Sequence, residues 1–114
     1  MVRDANDAIL LQDLHGNIMA FNGAAQKLYG WNETEALTLN IAKLVPSNRL
    51  KKELSRIKQL SQKETLQTYE TKRLTKEGVI IDVWLTATAL TNQAGEVYAI
   101  ATTERHNKKP ETGV

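Results

Sequence analysis

Two runs of alternating apolar and polar residues in the C-terminal half restrict the fold more than any other feature of this chain. In the run from 79 to 90 the odd positions are apolar, namely Ile81, Val83, Leu85, Ala87 and Ala89. The run from 97 to 103 is rich in β-branched and aromatic residues, and Asn92 and Gly95 lie between the two runs. A period of two is typical of a half-buried strand, and Asn and Gly favour a tight turn. The pattern therefore predicts a long antiparallel hairpin, with Trp84 on the face opposite to the apolar set.

The N-terminal third predicts a second hairpin followed by two short helices. Strands are expected over 8–13 and 18–21, with the turn at Gly16. Asn22 precedes the first helix as its N-cap, and Gly30 ends it. The segment 32–35 has the spacing of a capping box and opens the second helix.

A longer helix is predicted from Ser47 or Asn48 onwards. Its expected inward stripe consists of Leu50, Leu54, Ile57 and Leu60, and its charged residues, including Glu53, are assigned to the solvated faces. A third long strand is expected over 65–74, with a turn at 76–78. The order β-β-α-α-α-β-β-β predicts an α+β fold, in which helices cover one face of an antiparallel sheet.

Length and composition restrict the class of protein. A chain of 114 residues with 41% hydrophobic residues fits one domain with its own core. A net charge of +2 is too small to favour nucleic-acid binding, and no run is apolar for long enough to span a membrane. The absence of cysteine excludes disulfides and cysteine nucleophiles, and it fits a cytoplasmic location. No catalytic triad, phosphate-binding glycine loop or paired acid and base is visible, so an enzyme is not expected.

Several short motifs, taken in order, resemble those of the PAS domain, a sensory module. They are Asp13-x-x-Gly16 with Phe21-Asn22, Ala24-Ala25 through Gly30-Trp31, Leu44-x-Pro46, Lys76-Glu77-Gly78, and Asn92-x-x-Gly95-Glu96. The resemblance implies a five-stranded antiparallel sheet in the order 2-1-5-4-3, with a ligand cavity between the sheet and the helices. It places the domain at 8–106, with a flanking segment at 1–7 and a linker at 107–114 leading to an output domain. Such output domains are commonly a histidine kinase, a diguanylate cyclase or a chemotaxis protein.

Polar residues are expected at the edge of this cavity. Strand alternation puts Tyr69, Thr71 and Arg73 on the core side, and similarity to flavin-binding relatives puts Ile100, Thr102 and Glu104 there too. Arg73 and Glu104 either contact a ligand or pair with each other, because an unpaired buried charge is costly. Gln12 is a further candidate for ligand contact.

The resemblance also limits the cofactors. Haem-binding PAS domains carry the axial histidine in the long helix, which has none here, and the light-sensing flavin members need a cysteine, which this chain lacks. A non-covalent flavin or a small metabolite remains open. His15 and His106 are expected to be surface residues rather than metal ligands, and Asp13 is expected to accept hydrogen bonds in its turn.

Two functional hypotheses follow from the sequence. The first is a cytoplasmic PAS input module that binds a small molecule non-covalently and relays the change to an attached output domain. The second is a PAS module without a ligand, which acts in dimerisation or protein contact. On either hypothesis the outward-facing Trp84 is expected to be covered, since an indole left in water forgoes the favourable free energy of burying its apolar surface. A second subunit in a homodimer, or residues 1–7, is expected to cover it.

Overall fold

The computed structural model describes residues 7–62 and 67–108. Its strands are β1 (Ala8–Asp13), β2 (Ile18–Phe21), β3 (Gln67–Leu74), β4 (Ile80–Thr91) and β5 (Val97–His106). Its α-helices are α1 (Gly23–Tyr29), α2 (Glu33–Ala36) and α3 (Leu50–Gln62), and short 3-10 helices span Ile41–Leu44 and Ser47–Arg49. All strand pairs are antiparallel, in the order β2-β1-β5-β4-β3, as predicted.

Strand β4 confirms the alternation that the sequence showed. Val83, Leu85 and Ala87 are almost fully buried on the inner face of the sheet. Trp84 points the other way and is 48% exposed. The inner face packs against apolar residues of all three α-helices and of the Ile41–Leu44 segment, and together they form one core. The assignment of β4 residues to the two faces of the sheet, which was inferred from alternation, is therefore correct.

Local side-chain chemistry sets the ends of α1 and α2. The Asn22 side chain accepts a hydrogen bond of 2.9 Å from the Ala25 amide, and Gly30 follows the helix with a left-handed φ of 83°. Asn32 and Glu35 form the predicted capping box. These contacts satisfy amide groups that have no partner within a helix, so both starting points could be predicted from sequence.

Helix α3 differs from the prediction in which residue faces inward. Leu54 is 46% exposed, whereas Glu53 is buried beside Ile57 and Leu60. Residues 53 and 54 both lie one helical turn from Leu50, so periodicity alone does not choose between them. The choice of Glu53 follows from its partner on the sheet.

The turn at Gly16 joins the first hairpin to the segment after α2. Gly16 has a φ of 89°, and a Cβ added there would lie 2.8 Å from Cγ2 of Ile41. The Asn40 side chain donates a hydrogen bond of 2.9 Å to the carbonyl of His15. Asp13 accepts hydrogen bonds from the amides of His15 and Asn17, as expected. The position therefore needs glycine for both its backbone angle and its lack of a side chain.

The predicted flanking segments lie mostly outside the described residues, which omit 1–6 and 109–114. Within the described part, the Asp7 carboxylate accepts a hydrogen bond of 2.9 Å from Nε of Arg105. Just beyond β5, the backbone N–H of Asn107 donates a hydrogen bond of 2.8 Å to the carbonyl of Asp82. None of the helices in 7–62 and 67–108 has the length and apolar character needed to cross a membrane.

Candidate functional site

The inner face of the sheet carries polar side chains where the layers of a small domain are usually apolar. Five of the six predicted site residues are buried there: Gln12 from β1, Thr71 and Arg73 from β3, and Thr102 and Glu104 from β5. The sixth, Tyr69, is partly buried and packs against the core. Residues paired across antiparallel strands point to the same face, and the row Tyr69, Leu85 and Glu104 links β3, β4 and β5 in this way.

Arg73 forms an ion pair with α3. Its Nη2 donates to Oε2 of Glu53 at 2.9 Å, and both side chains are almost fully buried. Of the two alternatives given for Arg73 and Glu104, the mutual pair is corrected in its partner: the direct ion pair of Arg73 is with Glu53, and Glu104 acts on Arg73 through its charge. Sequence reasoning missed Glu53 because a glutamate on an amphipathic helix is ordinarily solvated. A signal was nevertheless present, since Glu53 is the one acidic residue in α3 and a buried arginine requires an anion.

Glu104 is held by two hydroxyl groups. The Tyr29 hydroxyl donates a short hydrogen bond to Oε1, and the Thr102 hydroxyl donates to Oε2 at 2.7 Å. Tyr29 is the last residue of α1 and has no exposed surface. Tyr29 is not identified as a site residue from the sequence, because the spacing of a tyrosine on an apolar helix face does not distinguish it from a core residue. Glu104 thus joins α1 to the sheet as Glu53 joins α3 to the sheet.

These five side chains, Tyr29, Glu53, Arg73, Thr102 and Glu104, are called the buried polar cluster below. Burial, together with the nearby Glu104 carboxylate, raises the pKa of Tyr29 well above its ordinary value. Burial would lower the pKa of Arg73, but the carboxylates of Glu104 and Glu53 outweigh it and raise that pKa above its usual range. Arg73 is therefore a permanent cation within the domain.

Two polar atoms of the inner face have no hydrogen-bond partner in the described part of the chain. They are Nε of Arg73 and Oε1 of Gln12, and both residues are at least 94% buried. The second hydrogen bond of Arg73, from Nη1 to the carbonyl of Lys72, is 3.2 Å long and leaves Nε–H free. Unpartnered buried donors and acceptors are uncommon in proteins, because each forgoes its bond to water.

Tyr69 and Arg56 lie beside the cluster, between α3 and β3. The Arg56 guanidinium stacks 3.6 Å above the centre of the Tyr69 ring. Burial, followed by the Glu53 carboxylate, raises the pKa of the Tyr69 hydroxyl to about 12.

The histidines take no part in this arrangement. His15 is exposed in its turn and His106 is partly exposed at the end of β5. Among residues 7–62 and 67–108, no three histidine, aspartate or glutamate side chains come together in a way that could hold a metal ion.

Comparison with known proteins gives the family. A model described as the PAS fold matches residues 1–105. Sensor protein FixL of Bradyrhizobium diazoefficiens is 45% identical over 40 residues, which is 35% of this chain and 8% of the length of FixL. The chain belongs to the PAS family, whose members are sensory domains, as the sequence motifs predicted.

Solved structures agree on the fold. The PAS domain of a protein from Colwellia psychrerythraea has a TM-score of 0.82 at 21% identity, covering 89% of this chain and 86% of that chain. A PAS domain from a two-component sensor histidine kinase has a TM-score of 0.74 at 17% identity, covering 93% and 89%. The PAS domain of the quorum-sensing receptor RpfR from Cronobacter turicensis, solved in complex with BDSF, has a TM-score of 0.76 at 17% identity, covering 95% and 100%. At these identities the likeness establishes the fold alone.

Proposed function

We propose that this chain is the signal-input module of a larger sensor protein and binds a small molecule non-covalently on the inner face of its sheet. The observation that carries the proposal is the pair of unpartnered buried atoms, Nε of Arg73 and Oε1 of Gln12. A ligand that supplied an acceptor to the first or a donor to the second would satisfy a group that is otherwise deprived of water. Tyr69, Thr71, Thr102 and Glu104 complete the proposed contact surface.

Relay to an output domain is part of the same proposal. The buried polar cluster ties α1 and α3 to β3 and β5, so a ligand that altered these ties would move helices relative to the sheet. Strand β5 runs directly into the C-terminal segment, where an output domain such as a kinase, a cyclase or a chemotaxis protein would be attached. The similarity to a sensor protein and to a PAS domain of a sensor histidine kinase supports this proposal, and the absence of cysteine fits a cytoplasmic location.

The test is mass spectrometry of small molecules released when protein purified under native conditions is denatured. We expect one compound in stoichiometric amount, and its amount should fall in Arg73→Lys and Gln12→Leu proteins that remain folded by circular dichroism. Retention of the compound in both variants would place it elsewhere. Protein that is free of any compound and that binds none from a metabolite library would overturn the ligand proposal.

A homodimer through the outer sheet face is the second proposal, and it stands with or without a ligand. Trp84 is half exposed between Arg105 on β5 and Glu70 on β3, which are its cross-strand neighbours. A depression of about 250 Å³ lies beside the indole and is lined by Asp7, Thr86, Thr103 and Arg105. An exposed tryptophan beside a concavity is a favoured anchor for a protein contact. A second copy of the domain would supply a tryptophan for the depression of the first copy and a depression for its tryptophan.

Sedimentation of Trp84→Glu protein tests this dimer. We expect the dimer fraction to fall while the monomer keeps its fold, since Trp84 lies outside the core. Leu54→Glu is the matched control, because Leu54 is equally exposed but lies on α3. A Trp84→Glu protein that stays dimeric, or a Leu54→Glu protein that dissociates equally, would refute an interface at Trp84.

A further inference from the structure

One edge of the Arg73 guanidinium carries two N–H donors, Nε–H and Nη2–H, and the contact with Glu53 uses only one of them. Nε–H and Nη2–H of an arginine point the same way and can bind both oxygens of one carboxylate. Here Nη2 donates to Glu53 Oε2, and Nε has no partner in the described residues. Glu53 thus supplies one acceptor where the edge has two donors. A carboxylate that was not tethered to a helix backbone could supply both.

The remaining polar atoms of the cluster favour an acceptor over a donor as the incoming group. Both oxygens of Glu104 already accept from hydroxyl groups, those of Tyr29 and Thr102. A ligand amine would therefore find this carboxylate engaged and the Arg73 cation nearby. The unmet requirement next to Arg73 is for a hydrogen-bond acceptor, and a charged acceptor gives the stronger bond.

Charge balance decides how an anion can enter. Two carboxylates and one guanidinium give the buried polar cluster a formal charge of −1. An added anion would bring that charge to −2, which burial opposes. If the Glu53 carboxylate leaves as the anion enters, the buried charge is unchanged. Glu53 lies in the first turn of α3, between the exposed residues Lys52 and Leu54, so unwinding of that turn would deliver it to water while Ile57 and Leu60 stay in the core.

We propose that the site takes a small organic monocarboxylate, which binds the Nε and Nη2 edge of Arg73 and displaces Glu53. This inference rests on the proposed function and names the chemical class of its ligand. Glu53 then acts as the internal occupant of the site. Its side chain is itself a propionate group, so acetate and propionate match the space that it vacates. Ligand binding and release of the start of α3 from the sheet become one event.

The test is an NMR titration of the whole chain with sodium acetate and sodium propionate, at an ionic strength held constant with sodium chloride. Acetamide and propylamine are the neutral and cationic controls. The Nε–H resonance of Arg73, assigned by its loss in Arg73→Lys, reports the contact directly. We expect a saturable shift of this resonance and of the α3 amides with the carboxylates, and none with the controls. Equal shifts with acetamide, or a response to propylamine alone, would overturn the assignment to carboxylates.

Glu53→Gln separates displacement from simple binding. The neutral amide competes less well for Arg73, so we expect acetate and propionate to bind about tenfold more tightly than to the original protein. Glu77→Gln, at an exposed turn position, should leave their affinity unchanged. Weaker or unaltered binding in Glu53→Gln would show that Glu53 is not the competitor, and would overturn the proposal.

The outcome is distinguishable from that of the proposed function. If a compound without a carboxylate is recovered from native protein, and acetate and propionate shift neither Arg73 nor α3, the module binds a ligand and the carboxylate inference is wrong. If no compound is recovered and no probe of any class binds, both fail. If Arg73→Lys does not fold, Glu53→Gln still decides the case, since it retains a hydrogen-bond acceptor for Arg73.

Discussion

Removal of one oxygen atom, in Tyr29→Phe, tests whether the link between α1 and β5 stabilises the domain. The ring keeps its place in the core, where Tyr29 has no exposed surface and packs against Phe21 at 6.1 Å between ring centres. What is lost is a donor to a buried carboxylate oxygen of Glu104. Hydrogen bonds to charged groups contribute about 1.5–3 kcal/mol, and a buried acceptor left unpaired keeps its full desolvation cost. We expect the free energy of unfolding to fall by about 2 kcal/mol, and the melting temperature by about 10 °C.

Urea denaturation followed by tryptophan fluorescence measures this change. Tyr98→Phe is the matched control, since Tyr98 is 48% exposed, and it should alter the free energy by less than about 0.5 kcal/mol. In a double-mutant cycle with Glu104→Gln, the two changes should be non-additive by about 1 kcal/mol, because they remove the same contact. A loss in Tyr29→Phe no larger than in Tyr98→Phe would refute the assigned role of the hydroxyl.

Three further predictions concern glycine, alkaline pH and cofactors. Gly16 and Gly95 both have a left-handed φ, which costs about 1–2 kcal/mol for a residue with a Cβ. An alanine at 16 would also clash with Ile41, so in urea denaturation Gly16→Ala should lower the free energy of unfolding by about 1–3 kcal/mol more than Gly95→Ala does. The pKa of Tyr69 is raised from 10.0 to about 12 in the folded domain, so the unfolded tyrosine ionises at lower pH than the folded one. The free energy of unfolding should therefore fall between pH 10 and 12, by up to about 1.4 kcal/mol per pH unit from this group. Tyr69→Phe should remove that part of the pH dependence. Absorption spectra of the purified protein should show neither a haem Soret band nor light-driven bleaching of a cysteinyl-flavin adduct, since α3 has no histidine and the chain has no cysteine.

The sequence predicted the sheet well because local rules apply to it. Alternation determines which face a strand residue occupies, so Arg73 and Trp84 were both assigned to the correct side. Asn22 and Asn32 were recognised as caps because the geometry of a helix start depends on residues only three positions apart.

The burial of the candidate site residues on the sheet could be predicted, but their contacts could not, since the contacting residues come from distant segments. Alternation predicts that Arg73 faces the core, but it does not predict which carboxylate pairs with Arg73. Glu53 lies in the helical layer and Glu104 lies in the sheet. The choice depends on how α3 is rotated about its axis, and Leu50 is compatible with either Glu53 or Leu54 facing inward. Tyr29 and Glu104 are 75 residues apart, and no local pattern connects them.

The position of β1 between β2 and β5 has a consequence for the order in which this chain can fold during synthesis. The pairing of Ala8 with Glu104 and of Asp13 with Ala99 joins the first strand to the last. Until β5 has left the ribosome, the hairpin of β1 and β2 keeps an open edge, and an unpaired edge is a template for pairing with other chains. Closing the sheet also requires a loop of nearly the whole domain, and such distant contacts slow folding. The nascent domain therefore depends on its last strand to become a single sheet.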